Sequence, residues 1–184
     1  MRRAASVSIS LFCLVLACAR PAYSQIFSLW ADEGMNTCEV IDQAPFSPFT
    51  VYVFLEPALD GAVAAEYKLT VLAGHFASAT NPAPFVSGVT IGSWIGSPGI
   101  SAPFTACQTG TVWIVNLTMI APNETSGYYR ITPNDNTDFL GIASCQGTRP
   151  LIDGTVLTPF GYNAACAPTA EEASWGSIKS QYRQ

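Results

Sequence analysis

The stretch TGTVWIVNLTMIAP, Thr109–Pro122, decides the fold class. Trp113, Val115, Leu117 and Met119 alternate with Asn116 and Thr118. A period of two, with β-branched and aromatic residues, is the pattern of a strand with one buried and one polar face. The same alternation recurs outward from it. TVYVFLEP (Thr50–Pro57) places Val51, Val53 and Leu55 on one face, and AEYKLTVLAG (Ala65–Gly74) does so with Tyr67, Leu69 and Val71. IFSLW (Ile26–Trp30), FVSGVTIGSW (Phe85–Trp94), SGYYRITP (Ser126–Pro133), DFLGIASC (Asp138–Cys145) and LIDGTVLTP (Leu151–Pro159) complete the series. Short strands punctuated by Gly, Pro, Asn and Asp predict an all-β chain, an antiparallel β-sandwich of Ig/fibronectin-like or jelly-roll-like type. APNETSG and PNDNTD read as hairpin loops, so Gly110–Cys145 is expected to form a meander.

The 184 residues suit one domain. The opening MRRAASVSISLFCLVLACARPAYSQ has Arg2 and Arg3 before an apolar run too short to span a bilayer. It predicts a secretory signal over residues 1–24, cut after Ser24 in Ala22-Tyr23-Ser24. A competing reading takes Val15–Cys18 as a lipobox, with Cys18 lipidated and the protein anchored to a membrane. The β-sandwich then covers 25–168, and a tail covers 169–184. Loss of Arg2, Arg3 and Arg20 leaves five basic against 13 acidic residues, a net charge of −8. Such a surface repels phosphates and argues against nucleic acid as a partner.

Cys38, Cys107, Cys145 and Cys166 remain, an even number that predicts two disulfides in an oxidising compartment. Their spacing lacks the close pairs of a zinc site. A meander puts Cys107 at the start of the strand from Gly110 and Cys145 at the opposite end, too far apart to bridge. Of the two other pairings, Cys38–Cys107 with Cys145–Cys166 closes the shorter loop and is the one expected.

In the tail, Thr169 and Glu172 form a capping box. Trp175, Ile178 and Tyr182 fall on one helical face, which predicts a short C-terminal helix with those residues as its contact face. The pattern W-G-x-I-K-x-x-Y-R, Trp175 to Arg183, resembles the tails of uncharacterised secreted bacterial β-sandwich proteins. The resemblance implies a secreted β-sandwich and carries no activity and no catalytic residues.

Residues with chemical potential are few. His75, the single histidine, sits in LAGHFAS without a G-x-S-x-G motif, at a strand end or turn. Asn134, Asn136 and Asp138 offer alternating oxygens suited to calcium, although Asn and Asp also favour turns for their own backbone bonds. Asp32–Gly34 is a lesser candidate. Trp30, Trp94, Phe160 and Tyr162 fit either an aromatic platform for sugars or the core. Asn116 and Asn123 match the N-x-Thr acceptor sequence. No pair of carboxylates stands out for glycoside hydrolysis. The reading that follows is a secreted non-catalytic domain with a surface, structural or adhesive role and a glycan or cell-surface protein as partner. A carbohydrate-binding module is the alternative, and an extracellular hydrolase comes third.

Overall fold

The computed structural model describes residues 25–148 and 150–166, and these are all-β, with twelve strands and no helix. One layer consists of β1 (Gln25–Trp30), β3 (Pro48–Glu56), β8 (Val112–Ile120), β5 (Phe76–Pro82) and β11 (Leu151–Thr158), in the order β11-β1-β3-β8-β5. The other contains β2 (Glu39–Val40), β12 (Phe160–Tyr162), β9 (Gly127–Thr132), β4 (Ala62–Thr70), β7 (Ile100–Gln108) and β6 (Ile91–Gly92). β10 (Gly141–Ser144) also lies along β4. β11 joins the layers at one edge: Leu151–Asp153 pair with β10, and Gly154–Thr158 pair with β1. The expected all-antiparallel pairing is corrected here. β1–β11 and β2–β12 are parallel, since each unites segments far apart in sequence rather than two arms of a hairpin.

The alternation seen in sequence becomes the core. Val51, Val53 and Leu55 of β3 and Val115, Leu117 and Met119 of β8 are fully buried against Tyr67, Leu69, Tyr129, Phe160 and Tyr162 of the other layer. Rings meet across the interior, with Phe27 and Tyr67 centroids 5.7 Å apart and Phe49 and Phe160 stacked at 6.2 Å. Trp113 is the exception. Val53 pairs with Val115 but Phe54 pairs with Trp113, so Ile114 is a bulge residue and turns inward. One inserted residue sends Trp113 to the opposite face from Val115.

The meander does not form. β8 pairs with β3 and β5, whereas β9 pairs with β12 and β4, so the Pro122–Ser126 loop crosses between layers. The segment after β9 does not reverse either. β9 and β10 both run antiparallel to β4, Thr132 facing Lys68 and Gly141 facing Glu66. Residues 133–140 are therefore an excursion from one advancing path, closed by an isolated Asn134–Phe139 bridge. Cys145 consequently arrives at the same end of β4 as Cys107: Ala62 faces Ser144 on one side and Gln108 on the other. The disulfides are Cys107–Cys145 and Cys38–Cys166, with Cα separations of 5.7 and 5.6 Å. The expected Cys38–Cys107 and Cys145–Cys166 pairing is overturned because it rested on a reversal that the chain does not make. Gly61, at φ +69°, lies beneath the first bridge, where a Cβ would stand 2.7 Å from Cys107 Sγ and 3.0 Å from Cys145 Sγ. The signal region and the helix expected at 169–184, with Trp175, Ile178 and Tyr182, lie outside the described residues.

Candidate functional site

The inward set of β1, β3, β8 and β5 leaves a complementary outward set. Cross-strand pairing aligns Trp30, Tyr52, Asn116 and Asn81 in one row over four strands. Next to it lie Thr50, Thr118 and Ala79, and at the far end Pro48, Ile120 and Phe76. Asn81 Nδ2 donates to Asn116 Oδ1 at 2.9 Å, fixing the amides on the sheet surface. Phe76 is 50% exposed, and Phe46, whose N–H donates to Ala121 O, is 66% exposed just beyond it. At the other end Trp113 stands edge-on to Tyr52, centroids 6.1 Å apart, and its Nε1–H donates to Glu33 Oε1 at 3.1 Å. Trp30 Nε1–H donates to Ser28 Oγ at 2.9 Å.

This face is almost free of charge. Across β1, β3, β5 and β8 the only ionisable side chains that carry charge at neutral pH reduce to one, Glu56 at the end of β3. A sheet surface facing water alone usually carries Lys, Glu or Arg. Depletion of charge with Tyr and Trp retained is the composition of an interface core. The free edge is protected, since β5 has a bulge at Ser78 and ends in Pro82. Both devices discourage strand addition, so the face rather than the edge is open to a partner.

His75 lies at the turn into β5, after Gly74 at φ +84°. It is buried, with its ring edge-on to Tyr162 at 4.7 Å and to Tyr129 at 5.7 Å. Nδ1 bonds Tyr129 Oη at 2.5 Å and Nε2 bonds Thr125 Oγ1 at 2.9 Å. Both nitrogens thus bond hydroxyls, and among the described residues neither a serine nor a carboxylate is hydrogen-bonded to the ring, so the arrangement is not that of a Ser-His-Asp site. Burial lowers the imidazole pKa, and Asn123 offsets part of that. A cleft of ≈ 390 Å³ opens beside it, between Phe76, Ala77 and Thr80 of β5 and Ser93, Trp94 and Ile95.

The other sequence candidates separate. Phe160 and Tyr162 are core residues, Trp30 is on the outer face, and Trp94 packs against the core, so they form no common platform. Asn134 and Asn136 line a notch of ≈ 210 Å³ with Glu66, Ser101 and Thr137, which Asp138 does not line. Asn134 Oδ1 accepts the Asn136 N–H at 2.9 Å, and the Asp138 N–H reaches Asn134 O at 2.8 Å, the bonds of a self-closed turn. Asp32 is likewise used locally. Desolvation opposes its charge, but bonds from Asn36 and Thr37 prevail and lower its pKa. No group of three or more His, Cys, Asp or Glu side chains is placed to hold a metal among the described residues, nor is any helix there long and apolar enough to cross a membrane. The outward row Tyr52–Asn116–Asn81 escaped sequence reasoning, although the missing charges of these strands were a visible signal. Tyr129 and Thr125 carried no signal, being 54 and 50 residues from His75.

No protein-family model matches the chain, and no curated protein is similar to it. Solved structures are. The sixth cohesin of Acetivibrio cellulolyticus scaffoldin B, solved in complex with a mutant Cel5 dockerin, superposes with a TM-score of 0.53 at 15% identity, over 76% of this chain and 98% of that one. A non-cellulosomal cohesin from the hyperthermophilic archaeon Archaeoglobus fulgidus gives 0.51 at 9% identity, over 83% and 97%. A type I cohesin–dockerin complex from Clostridium thermocellum gives 0.50 at 9%, over 76% and 96%. At such identities the likeness is one of fold, and the fold is a cohesin-like β-sandwich.

Proposed function

We propose that the protein is a non-catalytic, extracellular adhesive module that binds a protein partner through the outer face of β1, β3, β8 and β5. The observation that carries this is the near-absence of charge on an outward, half-buried four-strand surface that retains Tyr52, Trp113, Asn116, Asn81, Thr50 and Thr118. Aromatic rings supply area at low entropic cost, and fixed amides and hydroxyls supply directional bonds. Two related observations support it. Cohesins of the same fold have been solved with dockerins bound, and two disulfides suit an oxidising, extracellular setting.

Asn116→Arg tests the reading. Asn116 is at the centre of the row, and an arginine there would leave a charge unpaired in the middle of the interface, costing about 2–5 kcal/mol of binding. Immobilised full-length protein should retain a partner from the secreted proteins of its source that Asn116→Arg at unchanged melting temperature does not. Equal retention by both would show that this face is not the binding surface.

A further inference from the structure

Among the described residues Phe46 is the one aromatic in left-handed backbone, at φ 61°, a region that side chains of this size rarely enter. Its ring is 66% exposed, so burial does not account for that conformation. The surrounding bonds impose it. Phe46 N–H donates to Ala121 O at 2.7 Å, and Ser47 N–H to Ala44 O at 3.1 Å. Gln43 N–H donates to Asn163 Oδ1 at 2.8 Å, and Gln43 Nε2–H to Ser47 O at 3.0 Å. A loop held at both ends thus presents a phenyl ring to the outside, and enforced strain of this kind points to a function. Other apolar side chains stand with it. Ile41, in the same loop, and Phe76 are each 50% exposed, and Pro48 and Phe76 flank Ile120 across the strands. They form an apolar platform at the end of the outer face.

We propose that this platform is the docking site of the chain's own tail, residues 169–184, which covers it with Trp175, Ile178 and Tyr182. The point from which the tail departs favours this. Cys166 is fixed by its bridge to Cys38 and by its N–H, which donates to Glu39 Oε2. Asn163, three residues earlier, holds Gln43, which is three residues before Phe46. Those two arms amount to at most about 20 Å of chain beyond that one bond. Three extended residues after Cys166, then a helix from Thr169, carry the stripe 175–182 to about 19–30 Å from Cys166. Platform and stripe therefore coincide in reach. Charge agrees as well. The loops 41–47 and 122–126 carry exposed Asp42 and Glu124 and no basic residue. The tail brings Lys179 and Arg183, two of the five basic residues that follow residue 24, each next to a residue of the stripe. Attachment to the body makes the contact intramolecular, so a modest apolar contact suffices. A helix of this length in turn needs such a surface to persist in water. The proposal does not depend on a partner for the outer face.

Hydrogen exchange read by mass spectrometry on the full-length protein, with no partner present, tests this. Amides of residues 174–184 should exchange at least about tenfold more slowly than in a free peptide of the same sequence. Phe46→Gly removes the ring and suits the left-handed backbone, so the sandwich keeps its fold. It should abolish the protection of the tail while the amides of β3 and β8 keep theirs. Trp175→Ser, outside the sandwich, should do the same, and it decides the matter if Phe46→Gly also loosens β3 or β8. The protection should be unchanged by about hundredfold dilution. Tail amides that exchange as fast as the free peptide would overturn the proposal. So would protection that persists in either variant, which places the tail elsewhere, or protection that fades on dilution, which places it on a second copy. None of these readouts involves a partner, so their failure is distinct from a failure of the outer face to bind protein.

Discussion

Gly61→Ala probes the point at which the chain closes on itself. Two costs add. Gly61 has φ +69°, and a residue with a Cβ pays about 1–2 kcal/mol for left-handed backbone. The new methyl would also sit 2.7 Å from Cys107 Sγ, 2.8 Å from Gln108 O and 3.0 Å from Cys145 Sγ, and overpacking of this kind costs about 1–3 kcal/mol. Together the substitution should remove about 3 kcal/mol, which lowers the melting temperature of a domain this size by about 6–12 °C. Removing the bridge with Cys107→Ala and Cys145→Ala has its own cost. A closed loop spanning a sequence separation of 38 corresponds to about 4 kcal/mol in the chain-entropy model. In that background the sulfurs no longer oppose the methyl, while the Gln108 carbonyl and the backbone strain remain. Gly61→Ala should then cost about 1–2 kcal/mol less than in the intact protein. Urea unfolding of the four proteins in the cycle measures this coupling. A coupling within about 0.3 kcal/mol of zero would refute the idea that the bridge passes over Gly61, and with it the placement of Cys145 beside Cys107.

Tyr67 is fully buried and its hydroxyl has no hydrogen-bond partner among the described residues; Tyr67→Phe should leave stability unchanged or raise it by about 1 kcal/mol, and a comparable loss in thermal unfolding would contradict this. Leu117→Ala empties a fully buried site between the layers and should cost about 3–5 kcal/mol in denaturant titration. Trp113→Phe keeps a ring beside Tyr52 but loses the bond to Glu33, which should cost under about 1 kcal/mol because that bond faces solvent. Stability should also fall with acid. Below pH 6.5 the unfolded chain takes up a proton on His75 that the folded chain resists, so the melting temperature should drop as pH falls from 6.5 toward the lowered folded pKa, and His75→Gln should flatten that part of the profile.

The strands legible in the sequence were those whose own residues carry the signal. Val51, Val53 and Leu55, or Val115, Leu117 and Met119, announce a face because each strand buries large side chains on alternate positions. β5 and β7 were not legible. FASATNP is small, polar and almost wholly exposed, and it is held by β8 rather than by burial of its own. ISAPFTACQ hides Ile100, Ala102 and Phe104 behind Pro103, a residue that argues against a strand unless the pairing is known. The Trp113 error has the same origin. Alternation counts residues, while a bulge at Ile114 is decided by how β8 meets β3. The candidate site divided likewise. The charge-poor strands were in plain view, but that they lie side by side with one face outward is a property of pairing.

The disulfides show most clearly where local reading stops. PNDNTD has the composition of a hairpin loop, and composition specifies that the chain bends, not which strand it meets next. Asn134 and Asp138 do close a tight turn, through their own backbone bonds. The chain then resumes its course, because β4 is nine residues long and β9 occupies only its last three, Lys68 to Thr70. Unpaired N–H and C=O groups on Ala62–Glu66 would otherwise face the sheet interior with no partner, and β10 satisfies them. Completion of a long central strand therefore outweighed the reversal that the loop residues suggested. The same requirement brings Cys145 to the end of β4 where β7 delivers Cys107. The direction of a strand was thus set by the backbone bonds left open on its neighbour, which a single sequence does not display.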